Sequence, residues 1–172
     1  MRTIVVGLGN PILCDDRAGL AAAQILEQLL QDQPDIDVVL DTCGGLRLME
    51  LLIGYDRALI LDAIVTGAPP GTVHLLPADT VASQRSASAH DVNLTTALTV
   101  GRQAGAHLPE DDNIHYIGIE AEDIQTFSEE CTPAVALATL EAATLVLKKL
   151  GLDPAAVETT AFDPSDYPIR GF

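Results

Sequence analysis

Basic and aromatic residues are both scarce in this sequence. Lysine and arginine together number 9 against 25 aspartates and glutamates, which gives a formal net charge of −16, and tryptophan is absent. An excess of acid on this scale repels phosphate groups, so it argues against nucleic acid as a partner and against an anionic membrane surface. A cation, or a partner with a basic segment, fits the charge better.

Long apolar runs and paired cysteine motifs are also missing. No run approaches the roughly 20 apolar residues that cross a bilayer, and residues 1–3 lead into a strand pattern without a signal-peptide signature. Cys14, Cys43 and Cys131 form no CxxC pair, and their odd number leaves one thiol unpaired in any disulfide scheme. The sequence therefore predicts a cytoplasmic protein with reduced thiols.

Familiar catalytic signatures are absent as well. The sequence has no HExxH, no GxSxG and no Walker loop. Gly7 and Gly9 lack the third glycine of a dinucleotide fingerprint, and the adjacent carboxylates Asp15 and Asp16 stand where a pyrophosphate would bind. This first loop is predicted to face a cation rather than a phosphate.

Strand and helix patterns alternate through the first part of the chain. Apolar runs at 3–6, 36–40 and 58–61 are separated by helical patterns that end near residues 32 and 52. Such alternation predicts parallel strands joined by right-handed crossovers. The connection before residue 72 is too short for a crossover helix, so the strand at 72–76 is predicted to run antiparallel at an edge.

The remaining elements complete the predicted architecture. A helix begins at His90, the last strand covers 114–119, and Thr132 caps a long helix that ends at Gly151. The fold class predicted is α/β, a doubly wound, mostly parallel five-stranded sheet with helices on both faces and one antiparallel edge strand. One domain is predicted over residues 1–151, and an irregular C-terminal tail over residues 152–172.

Three side chains of the kind that bind metal collect at one edge of this predicted sheet. Asp16 follows the first strand, Asp62 ends the third, and His90 starts a helix. Ligands bind at the carboxyl ends of parallel strands, so these residues are expected to converge. Two carboxylates and one imidazole form a partial shell for a divalent transition metal, with positions left open for water or substrate.

Each of these residues also has a simple structural interpretation. Asp16 could cap a helix, Asp62 could accept hydrogen bonds from loop amides, and His90 could lie on the surface. Asp15 competes with Asp16 for the role of ligand. Spacing alone does not choose between the two neighbouring acids.

Further polar residues are predicted near the same edge. Asp41 and Glu120 both follow strands and are interpreted as solvated loop positions, and the cysteines as buried small hydrophobes. A Cys/His dyad of Cys14 or Cys43 with His90 ranks below the metal site, because nearby acids would raise the pKa of the thiol and make it a poor nucleophile.

Taken together, these motifs resemble the nickel-iron hydrogenase maturation endopeptidases over residues 1 to about 150. The resemblance rests on GLGNPILCDDRAG at 7–19, Asp41 with the glycines that follow it, LILDA at 59–63, PGT at 70–72, SAH at 88–90 and TPAV at 132–135. The sequence departs from the family's commonest pattern at Cys14, Arg17-Ala18, Cys43 and Glu120. These departures bear on which hydrogenase is served.

The resemblance implies a cytoplasmic protease that removes the C-terminal extension of a hydrogenase large-subunit precursor once nickel is in place. The family's metal-contacting positions match Asp16, Asp62 and His90, which are the implied catalytic and metal residues. The nickel would be carried by the precursor, with zinc or cadmium as substitutes in vitro, and it could polarise the scissile carbonyl. The implied protein is a monomer that forms a transient complex with its substrate.

Two other interpretations remain open from the sequence. Peptidyl-tRNA hydrolases also begin with a motif like GLGNP, but they carry a basic RNA-binding face that this acidic chain lacks. A non-enzymatic nickel- or nucleotide-binding accessory module with a Rossmann-like fold is the alternative of a different class. Such a module would bind its ligand and leave a nickel-loaded precursor uncleaved.

Overall fold

The computed structural model describes residues 1–42, 44–77 and 94–159. The strands are β1 (Thr3–Leu8), β2 (Ile36–Asp41), β3 (Arg57–Ile64), β4 (Val73–Pro77) and β5 (Ile114–Glu120). The helices are α1 (Ala18–Leu30), α2 (Gly45–Leu51), α3 (Leu94–Gln103), α4 (Pro133–Leu150) and α5 (Ala155–Thr159), and a 3₁₀ turn, Asp15–Arg17, precedes α1. Cys43 and His90 lie outside the described residues.

The five strands form one sheet in the order β2-β1-β3-β5-β4. β1 pairs in parallel with β2 and β3, and β3 pairs in parallel with β5, whereas β4 is antiparallel to β5 at the edge. The prediction of a mostly parallel sheet with one antiparallel edge strand is confirmed. β2 lies on one side of β1, and β3, the next strand along the chain, lies on the other side. The strand order therefore reverses between β1 and β3, and doubly wound sheets bind ligands at the carboxyl ends of the strands at such a point.

Alternate residues of the central strands pack against helices on opposite faces of the sheet. Val5, Leu59 and Ile117 belong to the core shared with α1 and α4, whereas Ile60 and Tyr116 belong to the core shared with α2 and α3. The prediction of helices on both faces is therefore confirmed. Because successive strand residues point to opposite faces, a residue of β3 two positions after Ile60 also faces α2 and α3.

Glycines bring the first loop and α1 against the ends of the strands. A Cβ on Gly19 would collide with the carbonyl oxygens of Leu8 and Leu61, and a Cβ on Gly9 would collide with that of Asp16. Gly9 also has a φ of 150°, which side chains of L-residues rarely adopt. The loop after β1 thus lies directly on the 3₁₀ turn and fixes the position of the two acids in it.

Several predicted boundaries differ from the structure. β3 continues past Asp62 to Ile64, so Asp62 lies within the strand rather than stopping it. The segment after residue 151, predicted to be irregular, includes α5, and Val157 of α5 is buried in the core with α1 and α4. No helix among the described ranges is long and apolar enough to cross a membrane.

Glu120 organises the turn between β3 and β4. Its carboxylate is almost fully buried and accepts hydrogen bonds from the Thr66 amide at 2.7 Å, the Thr66 hydroxyl at 2.8 Å and the Gly67 amide at 2.9 Å. Burial alone would raise the pKa of Glu120, but these hydrogen bonds outweigh it and the pKa lies below its ordinary value. The sequence interpretation of Glu120 as a solvated loop residue is wrong, because the turn supplies donors that enclose it.

We expect Glu120→Gln to lower the free energy of unfolding by about 1–2 kcal/mol at pH 7, because a charge-assisted acceptor is lost. A carboxylate whose folded pKa is depressed stabilises the protein above its unfolded pKa, and this stabilisation is lost as pH falls through the folded pKa. The difference should therefore shrink in acid. Urea denaturation at pH 7 and pH 4 measures it, with the exposed Glu141→Gln as control. Equal stabilities at pH 7 would contradict the assignment.

Candidate functional site

Asp15 anchors the 3₁₀ turn to the segment that leads into α4. Its side chain is fully buried and accepts hydrogen bonds from the amides of Glu122 and Asp123, each at 2.9 Å. The amide and hydroxyl of Thr132 donate to it as well, at 2.7 and 3.0 Å. The hydroxyl that the sequence assigned to capping α4 is therefore used by Asp15, and Asp15 has little capacity left to bind a metal ion.

Asp62 follows Ile60 by two residues in β3, so its side chain is on the face of the sheet that packs against α2 and α3. It is 7% exposed. The amide of Ala63 donates to its Oδ1 at 2.9 Å, and the hydroxyl of Tyr116 makes a short hydrogen bond to its Oδ2. Burial raises the pKa of Asp62 from 3.8 to about 7; the charge of Asp16 adds to this rise, while the two hydrogen bonds oppose it. Near neutral pH this carboxyl group therefore exists in both protonation states.

Asp16 is half-buried in the 3₁₀ turn and, unlike Asp15, is not held by donors from the segment that leads into α4. Burial raises the pKa of Asp16, and the backbone amide of Asn10 lowers it in part. The negative charge of Asp16 raises the pKa of Asp62 and that of Tyr116, which places the three groups within electrostatic reach of one another. The structure thus distinguishes the two neighbouring acids that the sequence could not.

Tyr116 is a site residue that the sequence analysis missed. It is 3% exposed in β5, and burial followed by the charge of Asp62 raises its pKa well above the ordinary value, so the hydroxyl stays a donor at neutral pH. A tyrosine in a chain with few aromatics was a visible signal. Its partner, however, depends on the pairing of β3 with β5, which the sequence does not specify by residue.

We expect Tyr116→Phe to raise the pKa of Asp62 further, because the hydroxyl stabilises the ionised carboxylate by about 1–3 kcal/mol. Carboxyl carbon chemical shifts followed through a pH titration by NMR measure this change. Tyr55→Phe is the matched control, since that hydroxyl donates at 2.8 Å to Asp37 on the surface. An unchanged titration of Asp62 in Tyr116→Phe would refute the role given to this hydroxyl.

Two of the three predicted ligands, Asp16 and Asp62, are close enough for the charge of Asp16 to raise the pKa of Asp62. The third, His90, lies outside the described residues. Among those residues no three His, Cys, Asp or Glu side chains are grouped so as to hold a metal ion. The pair offers carboxylate oxygens, a donor type that divalent cations accept, and a positive charge nearby would lower both raised pKa values.

Other acids and thiols near this edge have structural partners. Asp41 is buried and paired with Arg47 at 3.0 Å, so its interpretation as a solvated loop residue is also wrong. The Cys14 thiol is buried and donates to the Glu130 carbonyl at 3.3 Å. Burial, then the charges of Asp15 and other acids, raises the pKa of Cys14, which agrees with a buried hydrophobe and not with a nucleophile.

Comparisons with known proteins point to one family. The model of the hydrogenase maturation protease family, HycI, matches residues 21–149. The HupD hydrogenase expression/formation protein of Rhizobium leguminosarum bv. viciae is 26% identical over 157 residues, which cover 88% of this chain and 76% of HupD. The hydrogenase 2 maturation protease of Escherichia coli K12 is 35% identical over 111 residues, which cover 61% of this chain and 66% of that protein.

Solved structures give the same result. The hydrogenase maturating endopeptidase HybD of Escherichia coli superposes with a TM-score of 0.72 at 25% identity, over 88% of this chain and 93% of HybD. The [NiFe] hydrogenase maturation protease HybD of Thermococcus kodakarensis superposes with a TM-score of 0.66 at 26% identity, over 87% of this chain and 99% of that protein. Both structures therefore share the α/β fold of this chain over most of its length.

Proposed function

This chain belongs to the hydrogenase maturation protease family, and we propose that it removes the C-terminal extension of a nickel-iron hydrogenase large-subunit precursor after nickel insertion. The nickel would be part of the substrate, held by the precursor and recognised through Asp16, Asp62 and His90. The observation that supports this most is the burial of Asp62 near the carboxyl end of β3, within electrostatic reach of Asp16 in the loop after β1.

The raised pKa values of the pair suit a site that waits for a metal brought by the substrate. Without a cation, burial and mutual repulsion favour the protonated form of Asp62, so the site has little affinity for free metal ions. When the precursor presents its nickel, the carboxyl groups release protons and coordinate it. This coupling makes recognition weaker as pH falls below neutral.

The chain's own residues would then divide the work. Asp16 is half-exposed and would be the first of the two acids to contact the substrate's nickel. Asp62 is held in a fixed orientation by hydrogen bonds from the Tyr116 hydroxyl and the Ala63 amide. The substrate's nickel would supply a Lewis acid that polarises the scissile carbonyl. Water attacks that carbonyl, the peptide C–N bond breaks, and the proton lost by water ends on the departing amine.

We further propose that the protein acts in the cytoplasm as a monomer in transient complex with the precursor. The thiols of Cys14 and Cys131 are both free, which is consistent with a reducing compartment. Nickel is the metal proposed for the substrate, with zinc or cadmium as substitutes in vitro.

The test is to incubate the protein with nickel-loaded and nickel-free precursor and to follow release of the C-terminal peptide by mass spectrometry. We expect cleavage only of the nickel-loaded form, and loss of cleavage in Asp16→Asn, Asp62→Asn and His90→Gln. Asp32→Asn, an exposed acid at the end of α1, should cleave normally. Binding of the nickel-loaded precursor without any cleavage would instead identify a non-enzymatic accessory module.

A further inference from the structure

A buried arginine, Arg17, ends the 3₁₀ turn that also contains Asp15 and Asp16. Arg17 is 6% exposed, and its Nη1 is buried without a hydrogen-bond partner. Within the described part of the chain no carboxylate is within ion-pair distance of it. A guanidinium carries five donors, and burial of its charge without a partner is unfavourable. A ligand that supplies acceptors and one negative charge would remove this cost.

A cleft between α1 and α4 opens beside Arg17. Gln24 and Ala21 line it from α1, and Ala136 and Thr139 line it from α4. Its volume is about 370 Å³ when the open solvent at its mouth is counted, and the enclosed part is much smaller, so it admits only a small group. The methyl groups of the two alanines suit a short apolar stem, and the side-chain amide of Gln24 can donate a second hydrogen bond.

The charges around the cleft restrict the ligand further. Glu129 and Glu130 line the cleft, are exposed, and repel a doubly charged anion such as phosphate more strongly than an anion with a single charge. Burial and the charge of Asp15 raise the pKa of the Cys131 thiol to about 12, so this wall is neutral at pH 7. Asp15 itself is fully engaged by the amides and hydroxyl described above.

We propose that this cleft binds a single carboxylate group, held by Arg17 with Gln24 as a second donor. The site is separate from the acid pair, because the cleft lies on the α1/α4 face of the sheet whereas Asp62 faces α2 and α3. The carboxylate can come from two sources: the free C-terminus of a peptide or a short free carboxylic acid. Both present the same chemistry to Arg17.

The test is a titration of the ¹⁵N-labelled protein with sodium propionate, with N-acetyl-Ala-Ala as the free acid, and with the same dipeptide amidated, at an ionic strength held constant with sodium chloride. We expect saturable shifts of the Arg17 Nε–H and Gln24 side-chain amide signals with the two acids and none with the amide. Tighter binding of the dipeptide acid assigns a peptide terminus, and tighter binding of propionate assigns a free acid.

Arg17→Gln should weaken binding at least tenfold, whereas Arg2→Gln makes the same change of charge at an arginine whose ion pair lies on the surface and should leave it unchanged. Ala21→Leu fills the cleft without altering Arg17 and should also abolish the shifts, so the proposal stays testable if Arg17→Gln folds poorly. It is overturned by absence of saturable shifts, by equal shifts in Arg17→Gln and the unaltered protein, or by tighter binding of inorganic phosphate than of propionate. None of these readouts uses precursor cleavage.

Discussion

Asp62→Asn is expected to make the protein more stable above neutral pH while abolishing cleavage of the precursor. Asparagine keeps the volume and removes a buried charge that the fold tolerates poorly. The rise of the Asp62 pKa from 3.8 to about 7 corresponds to at most about 4 kcal/mol of lost stability once the group is ionised in both states. The neutral asparagine side chain is a weaker acceptor for the Tyr116 hydroxyl, which offsets part of the gain from removing the charge. We therefore expect the free energy of unfolding to rise by about 1–3 kcal/mol at pH 8.

The sign of this pH dependence follows from proton binding. Below the unfolded pKa of 3.8 both states hold the proton and burial carries no electrostatic cost. Between 3.8 and about 7 the folded state holds a proton that the unfolded state has lost, so the stability of the unaltered protein falls as pH rises. Asp62→Asn lacks this proton, and its advantage should grow between pH 5 and pH 8.

Urea denaturation at pH 5 and pH 8 measures the effect, with Asp32→Asn as a control for the general loss of one negative charge. A variant that is less stable than the unaltered protein by the same amount at both pH values would refute the burial cost assigned to Asp62. A stable variant that still cleaves the precursor would refute its role in the site.

Asp15→Asn, one residue before Asp16, is expected to have the opposite effect. The fully buried carboxylate accepts four hydrogen bonds from amide and hydroxyl donors, and the NH₂ group of asparagine would face amide donors that already point inward. The variant would lose charge-assisted hydrogen bonds and would leave buried N–H donors without an acceptor. Both effects should lower the free energy of unfolding, by about 3–5 kcal/mol in total. Chemical denaturation at pH 7 measures this loss.

Asp16→Asn is the matched control for Asp15→Asn, since it makes the same change in the neighbouring residue. Because burial raises the pKa of Asp16, its replacement should cost less than about 1 kcal/mol or stabilise slightly. Nearly equal stabilities of the two variants would contradict the division of these acids into an anchor and a site residue.

The sheet could be predicted because it depends on local patterns, whereas the sequence pattern ends β3 before Asp62 and the strand continues to Ile64. Alternating strands and helices specify a parallel sheet, and parallel strands place their carboxyl ends together. The roles of Asp15 and Asp16 could not be predicted, since they depend on the segment at 122–132, more than 100 residues away, folding over the 3₁₀ turn.

The errors at Asp41 and Glu120 have a common cause. Acids that follow strands are usually solvated, and the sequence gives no sign that Arg47 pairs with one or that the turn at Thr66 and Gly67 surrounds the other. The same applies to Tyr116, whose hydroxyl gains its importance from a neighbouring strand. The surroundings of these three side chains are therefore set by contacts between segments that are distant in sequence, which local patterns do not predict.

The most direct test of the account compares Asp16→Asn with Asp15→Asn in cleavage of nickel-loaded precursor, as kcat/KM per folded molecule, with the folded fraction determined under the same conditions. We expect Asp16→Asn to be fully folded and at least 100-fold less active, as for the loss of a group that contacts the reacting centre. Asp15→Asn should be less stable but should keep, per folded molecule, most of the activity of the unaltered protein. Full activity in Asp16→Asn would contradict the account.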